Sequence, residues 1–182
     1  MTVQEEQLIR SETIFVGKAI SLRVDSTRMT KNGLNIETLR EVVEHLPSIV
    51  IVPLSETGEI LLVEQYRHAT GERLLEAPAG GVEKNETPLQ AASRELQEET
   101  GYAPGQLTTV GGFWVAPGWC SEYMHAYLAT ELTLSRLPQD EDEDVKVVSV
   151  AMNDVHGLIR QGRIQDAKSI AVLLMALHLF IP

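Results

Sequence analysis

The chain has 182 residues, 43% of them hydrophobic, and a formal net charge of -11. That length suits one domain with a sizeable core, and no apolar run reaches the length of a membrane span. The negative field argues against nucleic acid or an anionic membrane as partner, since both would be repelled at long range. The opening MTVQEEQLIR is acidic and polar, unlike a signal peptide, and residues 1–10 read as a loose arm or an early strand. Residues 13–26 carry β-rich, alternating stretches around Gly17. Asn32-Gly33 is a strong hairpin signal and predicts a strand ending near Thr30 joined to one over 34–44. SIVIVPL, at 48–54, reads as a buried strand, Glu56-Thr57-Gly58 as a turn, and 59–65 as a second strand.

Further strands are expected at 110–115, 122–129 and 145–150. Asn153 or Asp154 starts a short helix ending near Gly162, and Asp166 starts a last helix through Phe180. Between the two groups of strands lies one strongly marked helix. Thr87-Pro88-Leu89-Gln90 supplies an N-cap, a proline at the first helical position and a capping-box glutamine. Gly101 is the natural stop, so the helix spans 88–100. Leu89 and Leu96 are expected on its buried side, with Glu95, Glu98 and Glu99 on one arc beside them. Two glutamates in the last turn oppose the helix dipole, a locally costly choice that points to function. Clustered carboxylates suit a hard divalent cation such as magnesium or manganese. Strands on both sides of a helix indicate an α/β sandwich. Cys120 is the only cysteine, which excludes an intrachain disulfide and suits the cytoplasm. The five histidines do not cluster, Met152 and Met175 read as core fillers, and Trp119 as a core or interface residue.

The stretch from Gly80 to Tyr102, GGVEKNETPLQAASRELQEETGY, resembles the signature of the Nudix hydrolases, G-x5-E-x7-R-E-U-x-E-E-x-G-U. Gly80, Glu86, Arg94, Glu95, Leu96, Glu98, Glu99 and Gly101 fall on its fixed letters; Tyr102 is aromatic where an aliphatic is usual. Outside the signature, Pro117 sixteen residues past Gly101, the segment Glu64–Arg67, Glu44-His45 and the acidic loop QDEDED at 139–144 resemble the ADP-ribose pyrophosphatase branch of that family. The likeness spans about residues 13–180.

The resemblance implies a Nudix-type α/β/α sandwich with a mixed central sheet and an extra N-terminal β-rich segment. It divides the chain into 1–45, a dimerisation segment, and 46–182, the hydrolase domain. The implied activity is metal-dependent hydrolysis of a nucleoside diphosphate sugar, foremost ADP-ribose to AMP and ribose 5-phosphate, by a homodimer. The implied ion is Mg2+, with Mn2+ as a substitute, held by Glu95, Glu98, Glu99 and the carbonyl of Ala79. Arg94 orients carboxylates, and Glu86 supports the metal site or ties the loop to the helix. Arg67 contacts phosphate. Phe113, Trp114 and Gly118 surround the adenine, Arg40 and Glu41 add polar contacts, and Glu122 organises substrate or water. Arg40 stands where the family can carry an aromatic. The general base comes from the acidic loop, with Glu141 aligning best and Glu143 as a backup or metal-assisting carboxylate; Glu98 and Glu122 are the alternatives. Other expectations are a Nudix enzyme for another nucleotide sugar or a dinucleoside polyphosphate, or a nucleotide-sensing module without catalysis. A sensing module should lose signature carboxylates, and here all are present.

Overall fold

The computed structural model describes residues 6–139 and 144–180, with side chains through His178. The chain forms two compact units. The first holds the described residues up to Leu46 together with Trp114–Glu122. Its strands β1 (Gln7–Val16), β2 (Ser21–Lys31) and β3 (Leu34–Glu44) make an antiparallel sheet in the order β1-β2-β3. Asn32 and Gly33 take φ of 54° and 78°, as a two-residue primed turn requires, and Lys31 faces Leu34 across it. Irregular register between Leu8 and Arg10 and between Thr13 and Phe15 bends β1. Every residue of β1 is exposed. The returning segment attaches to the far end of β3. Val43 N–H donates to the Trp119 carbonyl (2.8 Å), and Ser121 N–H to the Val43 carbonyl (2.9 Å).

The second unit holds Pro47–Phe113 and the described residues from Tyr123 onward. Its strands are β4 (Ser48–Pro53), β5 (Glu59–Arg67), β6 (Glu72–Glu76) and β7 (Ala79–Gly81). Helix α1 (Pro88–Thr100) follows, then β8 (Tyr102–Ala103), β9 (Gln106–Trp114), β10 (Tyr123–Thr130), β11 (Thr133–Leu134) and β12 (Lys146–Ala151). A single 3-10 turn, Met152–Asp154, leads into α2 (Val155–Arg160), and α3 (Ala167–Phe180) closes the unit. One sheet runs β7-β4-β10-β9, with β4 and β10 parallel and β4 and β7 antiparallel; a second runs β12-β5-β6.

β4 is buried along its whole length, and alternation splits its side chains between two cores. Ile49 and Ile51 join Ala91, Ala92 and Leu96 of α1. Val50 and Val52 join Val155 of α2, Val172, Leu173 and Ala176 of α3, and Ile60, Leu62 and Val150 of the second sheet. This is the expected sandwich with a mixed sheet. One expectation needs correction. Leu89 is 49% exposed, because it sits in the first turn, ahead of the buried Ala91, Ala92 and Leu96. The short strands β6, β7, β8 and β11 were not foreseen. Met152 and Met175 pack against the core as expected. Among the described residues no helix is long and apolar enough to cross a membrane.

Candidate active site

The site is built on α1 and the strand before it. Thr87 caps the helix, its Oγ1 accepting from Gln90 N–H (3.3 Å) while Gln90 Oε1 accepts from Thr87 N–H (2.8 Å). Gly101 ends it at φ 81°. With both ends fixed, Arg94 becomes the centre of a carboxylate cluster. Its Nη1 donates to Glu95 Oε1 (2.7 Å) and Glu98 Oε2 (2.9 Å), and its Nη2 to Glu86 Oε1 (2.7 Å) and the Gly81 carbonyl (3.1 Å). Glu86 first, and then Glu95 and Glu98, hold the guanidinium well above its usual range, against the opposing effect of burial. In return Arg94 holds the Glu86 carboxyl below the ordinary carboxylate range. Glu86 also accepts from Glu83 N–H (2.7 Å), so it ties the loop to the helix.

Glu99 is 1% exposed in the last turn and accepts from Ala79 N–H (3.1 Å). Gly80, next along β7, has a physical reason to be glycine. A Cβ there would overlap the Glu95 carboxylate. Among the described residues no three acidic, imidazole or thiol groups already stand as a closed ion site; Glu95 and Glu98 are both drawn to Arg94. The donor set still fits a hard divalent cation. It offers several carboxylates from one helical turn, one of them laid against the backbone of β7, and no soft ligand.

Arg67, at the end of β5, is braced by Glu76 of β6: Nε lies 3.1 and 3.2 Å from the two carboxylate oxygens and Nη2 2.6 Å from Oε2. In the first unit a cavity of about 440 Å³ is lined by Arg40, Glu41, Trp114, Gly118 and Trp119, among others. Four of the residues expected around the nucleoside therefore meet there. Arg40 is paired with Glu6, its Nε donating to Oε2 at 3.1 Å. Glu122 Oε1 lies 3.8 Å from His45 Nδ1. Phe113 does not join the cavity; it packs against the second unit's core, because neighbours on a strand point to opposite faces. Trp119 is 58% exposed on the cavity wall, not in a core. Its place beside Pro117-Gly118 was the signal that could have found it. Glu141 and Glu143 lie outside the described residues.

A family model described as NUDIX domain matches residues 44–173. An ADP-ribose pyrophosphatase of Bacillus subtilis (strain 168) is 37% identical over 91% of this chain and 89% of its own length. A methanol dehydrogenase activator of Bacillus methanolicus is 34% identical over 91% of this chain and 89% of its own. An ADP-ribose pyrophosphatase of Mycobacterium tuberculosis (strain ATCC 25618 / H37Rv) is 34% identical over 98% and 86%. A solved structure, "Crystal structure of ADP compounds hydrolase", superposes with a TM-score of 0.86 at 21% identity, covering 98% of this chain and 96% of that one.

Proposed function

The chain belongs to the Nudix hydrolase family, and from that premise we propose that it hydrolyses ADP-ribose to AMP and ribose 5-phosphate, with magnesium, as a cytoplasmic homodimer. The observation that carries this reading is the α1 cluster, in which Arg94 gathers Glu86, Glu95 and Glu98 while bare Gly80 makes room for the Glu95 carboxylate. Relatives named ADP-ribose pyrophosphatase, matching nearly the whole chain, support the substrate.

Glu95, Glu98, Glu99 and the Ala79 carbonyl would hold Mg2+, or Mn2+ in its place, which when bound neutralises diphosphate charge and acidifies a water. The protein's own groups do the rest. Arg94 sets the directions of Glu95 and Glu98, and Glu86 sets Arg94. Arg67 holds a phosphoryl oxygen. Trp114 and Trp119 offer flat faces to a purine, with Gly118 leaving space between them, Glu41 giving an acceptor and Arg40 giving donors. Glu122 orders substrate or water. Glu141 takes the proton of the attacking water, with Glu143 as the neighbouring carboxylate. Water's oxygen forms a bond to one phosphorus, the bridging P–O bond breaks, and two monophosphates leave.

Arg40 favours one second reading. A guanidinium in the cavity suits a base rich in carbonyl acceptors, and so a different nucleotide sugar. Incubation with magnesium and a panel of nucleoside diphosphate sugars and dinucleoside polyphosphates, with products identified by mass, tests both readings. ADP-ribose is expected to give the highest kcat/KM. Glu99→Gln should lower turnover by about a hundredfold or more, because a lost ligand weakens transition-state charge stabilisation. Near-normal turnover in that variant at saturating magnesium would overturn the assignment.

A further inference from the structure

Glu76 is 2% exposed, and a carboxylate so deeply buried is costly unless cations and hydrogen bonds offset its lost hydration. It has two cations. Arg67 grips it through Nε and Nη2. Lys168, in the first turn of α3, donates from Nζ to Glu76 Oε2 (2.6 Å) and to Asp166 Oδ2 (2.9 Å). Asp166 also accepts from Ser169 N–H (3.0 Å), and the fully buried Ser169 Oγ accepts from Ala77 N–H (2.7 Å). Two carboxylates and two cations thus form a neutral group that bolts α3 to the ends of β5 and β6.

Arg67 is left with one edge to spare. Nε and Nη2 are committed to Glu76, Nη1 donates to nothing among the described residues, and the side chain is 38% exposed. A two-pronged brace fixes the plane of the guanidinium, which a single contact would leave free to turn. Glu99 adds to the stabilisation of the Arg67 charge, after Glu76, so Arg67 feels the carboxylate of the α1 cluster as well as its brace.

We infer that Glu76 and Lys168 are positioning residues for the diphosphate: Glu76 fixes the plane of Arg67 so that Nη1 is presented to a phosphoryl oxygen, and Lys168 cancels the charge that Glu76 would otherwise set beside an anionic substrate. The inference rests on the reading that Arg67 contacts the diphosphate. Neither residue touches substrate, and neither lies in the signature stretch. Loss of Lys168 leaves a surplus negative charge near that oxygen, whereas loss of the Glu76 charge frees Arg67 to rotate.

The test uses the full chain, ADP-ribose and saturating magnesium, with kcat, KM and melting temperature measured for Arg67→Ala, Glu76→Gln, Lys168→Met and Lys168→Arg. Arg67→Ala is expected to raise KM by about tenfold or more, as for loss of a charge-assisted hydrogen bond. Glu76→Gln should raise KM by about fivefold or more with kcat within about threefold. Lys168→Met should raise KM at about 50 mM salt, and the increase should shrink at about 500 mM salt, because screening removes a charge effect and not a packing effect. Lys168→Arg should restore KM. If Arg67→Ala raises KM while Glu76→Gln and Lys168→Met do not, the inference fails and the parent reading stands. If Arg67→Ala leaves KM unchanged, the parent reading fails and takes the inference with it. A KM increase for Lys168→Met that is indifferent to salt, or that follows a loss of melting temperature, also overturns it. Should Glu76→Gln not fold, Lys168→Met decides, since its near-isosteric side chain keeps the Arg67–Glu76 pair.

Discussion

At the scale of single residues, Gly80 separates structural from functional demand. The three atoms nearest to a Cβ at that position all belong to the Glu95 carboxyl, the far end of a flexible side chain. Glu95 can swing aside, so Gly80→Ala should change folding stability by less than about 1 kcal/mol. It should nevertheless lower kcat/KM by about tenfold or more, because the displaced carboxylate no longer lies where it is needed. Wild-type kcat/KM in a folded Gly80→Ala protein would show that the position of Glu95 is immaterial. Part of this cluster was legible in the sequence. Arg94 and Glu98 are four residues apart on a helix, so their pairing follows from spacing alone. Glu76 and Lys168, separated by 92 positions, give no such clue. Their pairing depends on how α3 docks, and docking is decided by packing across the whole second unit. Trp119 was expected in a core or an interface, and its exposure rules out the core alone; sequence neighbours do not say which side of a turn a tryptophan faces.

Among the elements, α1 was the most readable. Its two ends are set by local chemistry, and Thr87, Gln90 and Gly101 do in the structure what their types predict. Thr87→Ala should lower stability by about 1 kcal/mol, seen as a shifted denaturant midpoint at unchanged slope. Gly101→Ala should cost about as much, since φ 81° disfavours a side chain. A Cβ there would also crowd Arg136 Nε at 3.1 Å. No loss in either variant would mean that the helix termini are held by tertiary packing alone. The short strands were opaque. β7 is Ala79-Gly80-Gly81, a sequence with weak strand preference that becomes a strand only because Ile49 and Val50 offer it partners. β6 follows Thr70-Gly71 closely enough to read as an extension of a turn, and Gly71, at φ 71°, is what folds it back onto β5.

For the molecule as a whole, the proposed homodimer can be tested on the exposed apolar side chains of the first unit. Leu8, Phe15, Val16, Leu34 and Leu39 are all more than half exposed. A second copy is the cover we propose, in keeping with the proposed homodimer. Light scattering at micromolar concentration should give twice the 20.1 kDa of one chain. Val16→Glu with Leu39→Glu should give the single-chain mass, because both side chains already face water in one copy and charge at an interface is repelled. A wild-type monomer would overturn the dimer. The attachment of Trp114–Glu122 to the end of β3 has a further consequence, for the chain as it is being made. The three N-terminal strands pair with near neighbours and can form at once. The far end of β3, however, waits for Trp119 and Ser121, which bond the backbone of Val43, while the Ser121 hydroxyl accepts from His45 N–H across 76 positions. At about 5–20 residues per second of synthesis, that end stays unpaired on the ribosome for several seconds. An unpaired strand end is a template for any other extended chain, so nascent copies on one messenger can adhere there until residue 121 has emerged.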